Sequence, residues 1–397
     1  MTRRAPALPT LPDPLRRRWL AAGSLALALP VARARAQVLQ VGPGRDFKTL
    51  AEAARRARDG DTIEVDAGDY RGDVAVWPQS GLQLQAVGGR VRLLADGQSI
   101  QGKGIWVMRG ERLRVQGFDF EQARVPSLNG AGIRLERGTL EVVDCRFFDN
   151  ECGILTANER SIELSIERCE FGRQVRADGK NHHVYAGAIG RLTVQGSSFS
   201  GARSGHLLKS RAQINHVAWN RLADGADGQA SYELEFPNGG QALVLGNVIQ
   251  QGPQTENPNI VSFGAEGYAT GPNELVMAFN TLVNERRNGG IFLAMRPGAD
   301  RLRLVGNLLV GPGLLAADHV AAMTDLRDNP ALPLADLVNP AQGDYRLRRT
   351  AAARLTPFTL TGDDADLLPR GMFTAPRGWA ARPPAATLLP GALPPGT

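Results

Sequence analysis

Cysteine is nearly absent from this 397-residue chain: Cys145, Cys152 and Cys169 are its whole supply. Three thiols with no C-x-x-C spacing make neither a disulfide framework nor a zinc site. Cys145 ("VVDCRFF") and Cys169 ("IERCEFG") hold matching places in successive repeats. They read as small buried hydrophobes, stacked or joined by one bridge. Histidine is scarce as well, five in all, and aromatic residues make up 6%. That is too little for a broad sugar-stacking platform. Beyond the leader no apolar run approaches the roughly 18 residues of a spanning helix, so no membrane span is expected. Excess charge is missing too, despite a formal +6 and a pI near 9.6. Up to Ala36 there are seven arginines and one acid, Asp13, and from Gln37 onward 39 basic residues face 39 acidic ones. The basicity belongs to the leader, and no nucleic-acid partner is expected.

What is present begins with that leader. Arg16-Arg17-Arg18-Trp19-Leu20 opens a short apolar run from Ala21 to Leu29, Pro30 ends it, and Ala34-Arg35-Ala36 offers small residues for cleavage. Paired arginines before a modest apolar stretch resemble a twin-arginine signal, with an ordinary Sec signal as the alternative. Residues 1–36 are therefore expected to be a Tat-like signal peptide, and the mature protein periplasmic or secreted.

From about Leu82 to Leu309 the sequence repeats with a period in the twenties. "LRVQGFDF", "LEVVDCRFF", "IELSIERCEF", "LTVQGSSF", "ALVLGNVI" and "LRLVGNLL" are examples. The units alternate with period two and break at Gly and Asn, which marks a β-solenoid rather than a helical array. Asn220, Asn247, Asn280 and Asn307 recur beside an apolar position, as turn residues do when they bond along an internal ladder. The fold expected is all-β, a right-handed parallel β-helix of about eight or nine rungs by repeat counting.

One helix is also predicted. Thr49 and Glu52 form a capping box, Leu50, Ala53, Ala54 and Ala57 form an apolar face, and Gly60 ends it. It would cap the open end of the solenoid. The stretch "VGPGRDFKTLAEAARRARDGDTIEVDAGDYRG" resembles the opening segment of the pectin-lyase-like β-helix superfamily, which includes pectinesterases and polysaccharide lyases. That likeness implies the fold and says little of the chemistry. The expected organisation is a capped β-helix domain over 37–313, a C-terminal capping segment over 314–374 and a Pro/Ala-rich tail over 375–397. The tail reads as an extended or disordered strap. A monomer is expected.

Alternation locates a candidate groove. With Leu208 and Ser210 inward, Lys209 and Arg211 point out; with Val184 and Ala186 inward, His183 and Tyr185 point out; with Leu234 and Phe236 inward, Glu233 and Glu235 point out. The next rung, "NIVSFGAEG", adds Ser262 and Glu266. A one-residue slip would invert the set. Earlier strands, "AGIRLERG" and "CGILTANE", offer isolated charges and no base.

A base, an arginine and a tyrosine beside carboxylates suit β-elimination on an acidic, uronic-acid polysaccharide. Lys209, or His183 or His206, would take the proton alpha to the carboxylate. Arg211 would neutralise that carboxylate, or a Ca²⁺ held by Glu233, Glu235 and Glu266 would. Tyr185 or a histidine would protonate the leaving oxygen. His206, Glu233, Glu235 and Asn238 would line the sugar. "HLLKSRAQINHVAWNRL" followed by "ELEFPNGGQALVLGNVI" is similar to the alginate lyase and chondroitinase B group. In that group a lysine in a short "SKS"-like strand is the base, which implies the role for Lys209. The assisting arginine of the following rung is missing here. Two other classes stay open: a glycoside hydrolase using Glu233 and Glu235, and a non-catalytic carbohydrate-binding β-helix whose charges form only a solvated ion-pair ladder.

Overall fold

The structure, a computed structural model, describes residues 36–174, 181–316, 321–360, 362–384 and 387–396. The expected leader lies outside them except for Ala36. In the coils, short strands rich in Val, Ile, Leu and Phe pair in parallel with the strand one coil earlier or later. Ten of them build one sheet: Ala75–Trp77, Gly104–Met108, Ala131–Leu135, Cys152–Thr156, His182–Ala186, His206–Ser210, Tyr232–Phe236, Asn259–Phe263, Ile291–Met295 and Leu314–Ala316. Two further ladders of parallel strands merge into a 21-stranded sheet around the rest of the coil. The molecule is a right-handed parallel β-helix. Its ten-strand face exceeds the rung count expected from the repeat, because the end strands Ala75–Trp77 and Leu314–Ala316 are only three residues long.

Stacking of like positions fills the interior. Phe120, Phe147, Phe171 and Phe199 lie in register and form parallel ring stacks with centroids 5.0, 4.8 and 4.7 Å apart. That spacing equals the distance between neighbouring strands, about 4.8 Å, so the rings reach van der Waals contact without bending the backbone. A second column is polar. Asn220 donates to Asn247 at 3.0 Å, and Asn247, Asn280 and Asn307 each donate to the next asparagine at 2.9 Å, ending on Asn329. The same amides bond backbone carbonyls, so each buried turn is satisfied within the protein. Asn329 extends the ladder beyond the four asparagines expected. Cys145 and Cys169 are buried in the core with no bridge between them.

The predicted helix forms over Leu50–Arg56. Its box is complete: Glu52 N–H donates to the Thr49 hydroxyl at 3.1 Å, and Thr49 N–H donates to the Glu52 carboxylate at 3.2 Å. Asp73 accepts from the N–H groups of Leu50 and Ala51, a second cap brought from the first coil. Leu50 and Ala53 are fully buried over the end of the helix. The helix stops at Arg56, with Ala57 already extended, and Gly60 serves a later turn.

At the other end pairing runs past Gly313: Leu314–Ala316 joins the ten-strand face, and Ala321–Arg327 pairs with Ala299–Val305. The segment Asp344–Leu347 pairs antiparallel with Leu337–Asn339. Together with Ala351 it packs Leu337, Tyr345 and Leu347 on Val248, Val283 and Leu308 of the coils. The tail after Ala375 runs along the outside as a strap, from the early coils toward the late ones. Trp379 lies on Trp219 at 5.0 Å, Gly378 N–H bonds the Gly196 carbonyl, and Arg377 reaches Asp144 at 2.7 Å. Among the described residues no helix is long and apolar enough to cross a membrane.

Candidate active site

Strand register on the ten-strand face decides which side chains share the groove. Tyr185 pairs with Lys209, Lys209 with Glu235 and Glu235 with Ser262. This column points outward, as alternation requires. Lys209 Nζ sits 3.1 Å from Glu235 Oε2 and 3.2 Å from Glu266 Oε1. Arg211, just beyond the strand, donates Nε–H to the Tyr185 hydroxyl at 2.9 Å and a terminal N–H to Glu266 at 2.9 Å. It also donates to the Asn238 side-chain oxygen. Glu235 is 4% exposed and Lys209 12%, whereas Glu266 is 46% exposed. Burial would raise the Glu235 pKa. His206 and Lys209 outweigh it and hold the carboxyl below its ordinary range.

Two histidines complete the group. His206 Nδ1 lies 3.0 Å from Glu235 Oε2, off the line of a good hydrogen bond, so the contact is mainly electrostatic. His206 backbone N–H donates to His182 Nδ1 at 3.1 Å. That bond makes His182 Nδ1 an acceptor and leaves its proton on Nε2. Burial lowers both imidazole pKa values. For His182 the neighbouring charges of His206 and Lys209 add to the effect; for His206 the pull of Glu235 is overcome. The His206 ring packs between those of His182 at 4.6 Å and Tyr232 at 5.0 Å.

Two expected site residues are elsewhere. His183 and Glu233 do not face the groove; they are 2% and 0% exposed, inside the coil. Simple alternation fails because the second and third residues of each strand both point inward, where the chain turns into the sheet. The second position reads Gly132, Gly153, His183, Leu207, Glu233, Ile260, Phe292 along the stack. At Gly153 a Cβ would stand 2.5 Å from the His183 carbonyl oxygen, so only glycine fits there. Coils farther on have room for larger side chains. His183 Nε2–H donates to the Ser200 carbonyl at 2.8 Å, and burial lowers its pKa to about 4. Glu233 accepts a long bond from Gln251, and burial, reinforced by Asp224, pushes its carboxyl well up. Sequence reasoning missed His182, Tyr232 and Arg134 in the outward columns. The mostly small or apolar second position was the available signal.

The expected calcium ligands do not come together. Glu233 is on the wrong side of the sheet, and the carboxylates of Glu235 and Glu266 are already engaged by Lys209, Arg211 and His206. Among the described residues no three His, Cys, Asp or Glu side chains gather as a metal site would require. The donor set does not fit Ca²⁺. Glu233 and Glu235 likewise cannot flank one glycosidic bond, since one faces the core and the other the groove, which removes the hydrolase pair.

Comparison with known proteins is consistent with this coil. The crystal structure of pectate lyase Pel9A superposes with a TM-score of 0.53 over 91% of this chain and 96% of that one, at 13% identity. The fold is the pectin-lyase-like parallel β-helix. No family model matches the sequence, and no curated protein does. A pectin-lyase-like coil presents a long, shallow parallel sheet, and here a cleft of about 480 Å³ adjoins the His182 and Tyr185 end of the cluster. Another cleft, about 570 Å³, lies away from it among Arg114, Glu141, Glu163 and Arg191 and holds no histidine or lysine.

Proposed function

We propose that this protein is an exported polysaccharide lyase that cleaves a uronic-acid polysaccharide by β-elimination, with Lys209 as base. The observation that carries the reading is the convergence of Tyr185, Lys209 and Arg211 from adjacent coils onto one groove, with Glu235 and Glu266 between them. In the reaction a uronate carboxylate takes the place of the exposed Glu266 on Arg211, whose planar donor fork matches it. Neutralised there, the carboxylate accepts the negative charge that develops when Lys209 removes the proton on the carbon alpha to it. The electron pair forms a carbon–carbon double bond and expels the glycosidic oxygen. Tyr185 protonates that oxygen: its hydroxyl accepts from Arg211, so its own hydrogen is free to be donated. Neutral His182 and buried Glu235 orient the sugar and the lysine. No step needs a metal.

The test is a panel of alginate, pectate and glycosaminoglycans, with and without chelator, followed by the ultraviolet absorbance of unsaturated uronides. Lys209→Ala should lower turnover by about 10²–10⁴-fold while circular dichroism stays unchanged. Absence of unsaturated product from every polymer would sink the lyase reading. Glycan binding without turnover, unaffected by Lys209→Ala, would favour a binding module.

A further inference from the structure

Arg134 stands in the same outward column as Tyr185 and Lys209, three strand steps before the lysine: Arg134 pairs with Leu155, Leu155 with Tyr185 and Tyr185 with Lys209. Three steps amount to about 14 Å, more than a single sugar ring can bridge. The arginine lines the cleft of about 480 Å³ together with Asn129, Asn158, His182 and Tyr185. Its Nε is buried and has no hydrogen-bond partner. Glu136, the acid whose charge acts on it, is occupied by Lys103 and by Arg109 at 2.6 Å. Burial disfavours the Arg134 charge, and only the more distant field of Glu136 and Cys152 opposes it. A half-buried guanidinium without a partner is costly unless an anion completes it. The amides of Asn129 and Asn158 around it suit hydroxyl groups.

We propose that Arg134 forms a distal subsite for the carboxylate of a second uronate on the same polysaccharide chain, bound while another unit lies at Lys209. This inference rests on the lyase reading for the position of the cleaved bond, but not for the binding itself. A polymer with a carboxylate on every unit reaches both arginines, Arg134 and Arg211, along the solenoid axis, and a short fragment reaches one.

Oligouronates from dimer to hexamer, titrated calorimetrically into the full chain in a Lys209→Ala background, test it. Arg134→Gln should weaken binding of the hexamer by about 10- to 100-fold, the loss of one desolvated charge-assisted pair. Dimer affinity should change far less, and carboxyl-reduced hexamer should not respond to the substitution. Arg134→Lys should recover part of the loss, since it keeps the charge without the fork. The thermal midpoint should hold or rise, because an unpaired buried charge has gone. Equal hexamer affinity in the Lys209→Ala protein with and without Arg134→Gln overturns the subsite, as does an equal loss on the neutral oligomer. Arg134-dependent binding with no turnover by wild-type protein keeps the subsite and overturns the lyase reading. No binding of any oligouronate overturns both.

Discussion

At the scale of single residues, Glu266 and Glu235 touch the same lysine with opposite consequences. Glu266 is the exposed partner, and surface ion pairs contribute about 0–1 kcal/mol. Glu266→Gln should leave the melting temperature within a degree or two and lower the KM for oligouronates several-fold, by freeing Arg211. Glu235 is buried against Lys209 and His206. Glu235→Gln leaves Lys209 without its buried counter-charge, so a destabilisation of about 2–4 kcal/mol and loss of turnover should appear together in denaturant titrations and assays. His183 gives a prediction in pH. Its folded pKa is about 4, against about 6.5 when unfolded. As pH falls through that window only the unfolded chain takes the proton, so stability drops by about 1.4 kcal/mol per unit. His183→Gln can still donate to Ser200 and does not titrate, so its stability relative to wild type should improve by about 3 kcal/mol between pH 7 and pH 4. Asp224, raised to about 6 chiefly by burial, titrates in the same range with the opposite sign. The difference between variant and wild type is therefore the quantity to measure.

At the scale of the strand, legibility depends on position. The period-two pattern placed Tyr185, Lys209 and Glu235 outward, and register confirms that column. It failed at the second position of each strand, where the turn rotates His183 and Glu233 into the coil. Neither residue type announces a buried position, and Gly132 and Gly153 mark the close approach only once the coils are stacked. Lys209 and Glu266 lie far apart in the chain and meet through a turn whose path the repeat does not specify. The asparagine column was legible because its bonds recur each coil. Asn247 exchanges bonds with Asn220 and Asn280 and holds the Val217 carbonyl. Asn247→Ala should cost about 2–4 kcal/mol and more than Asn329→Ala at the end of the ladder, a ranking that chemical denaturation can check.

At the scale of the molecule, the fold was legible from repetition and the capping box, while its fastening was not. Composition suggested a loose tail. In fact Arg377 spans 233 residues to Asp144, and Gly391 bonds Gly306, so the strap ties early coils to late ones. Solenoids otherwise hold together only through adjacent repeats. Removal of residues 375–397 should lower the thermal midpoint by about 3 °C, for an assumed loss of about 2 kcal/mol in a domain of this size. Limited proteolysis should then begin near the uncovered Trp219.

The one-coil pairing of the groove strands makes this surface a ruler graduated in whole steps. Arg134 and Lys209 are separated by an integer number of marks, so no point substitution can adjust the gap smoothly. Insertion or deletion of one complete coil between them would change it by about 4.8 Å and leave the cluster around Lys209 intact. On the proposed reading, a descendant of this chain would thereby alter the length of uronate polymer it grips by gaining or losing a repeat, while Lys209 and its neighbours stay as they are.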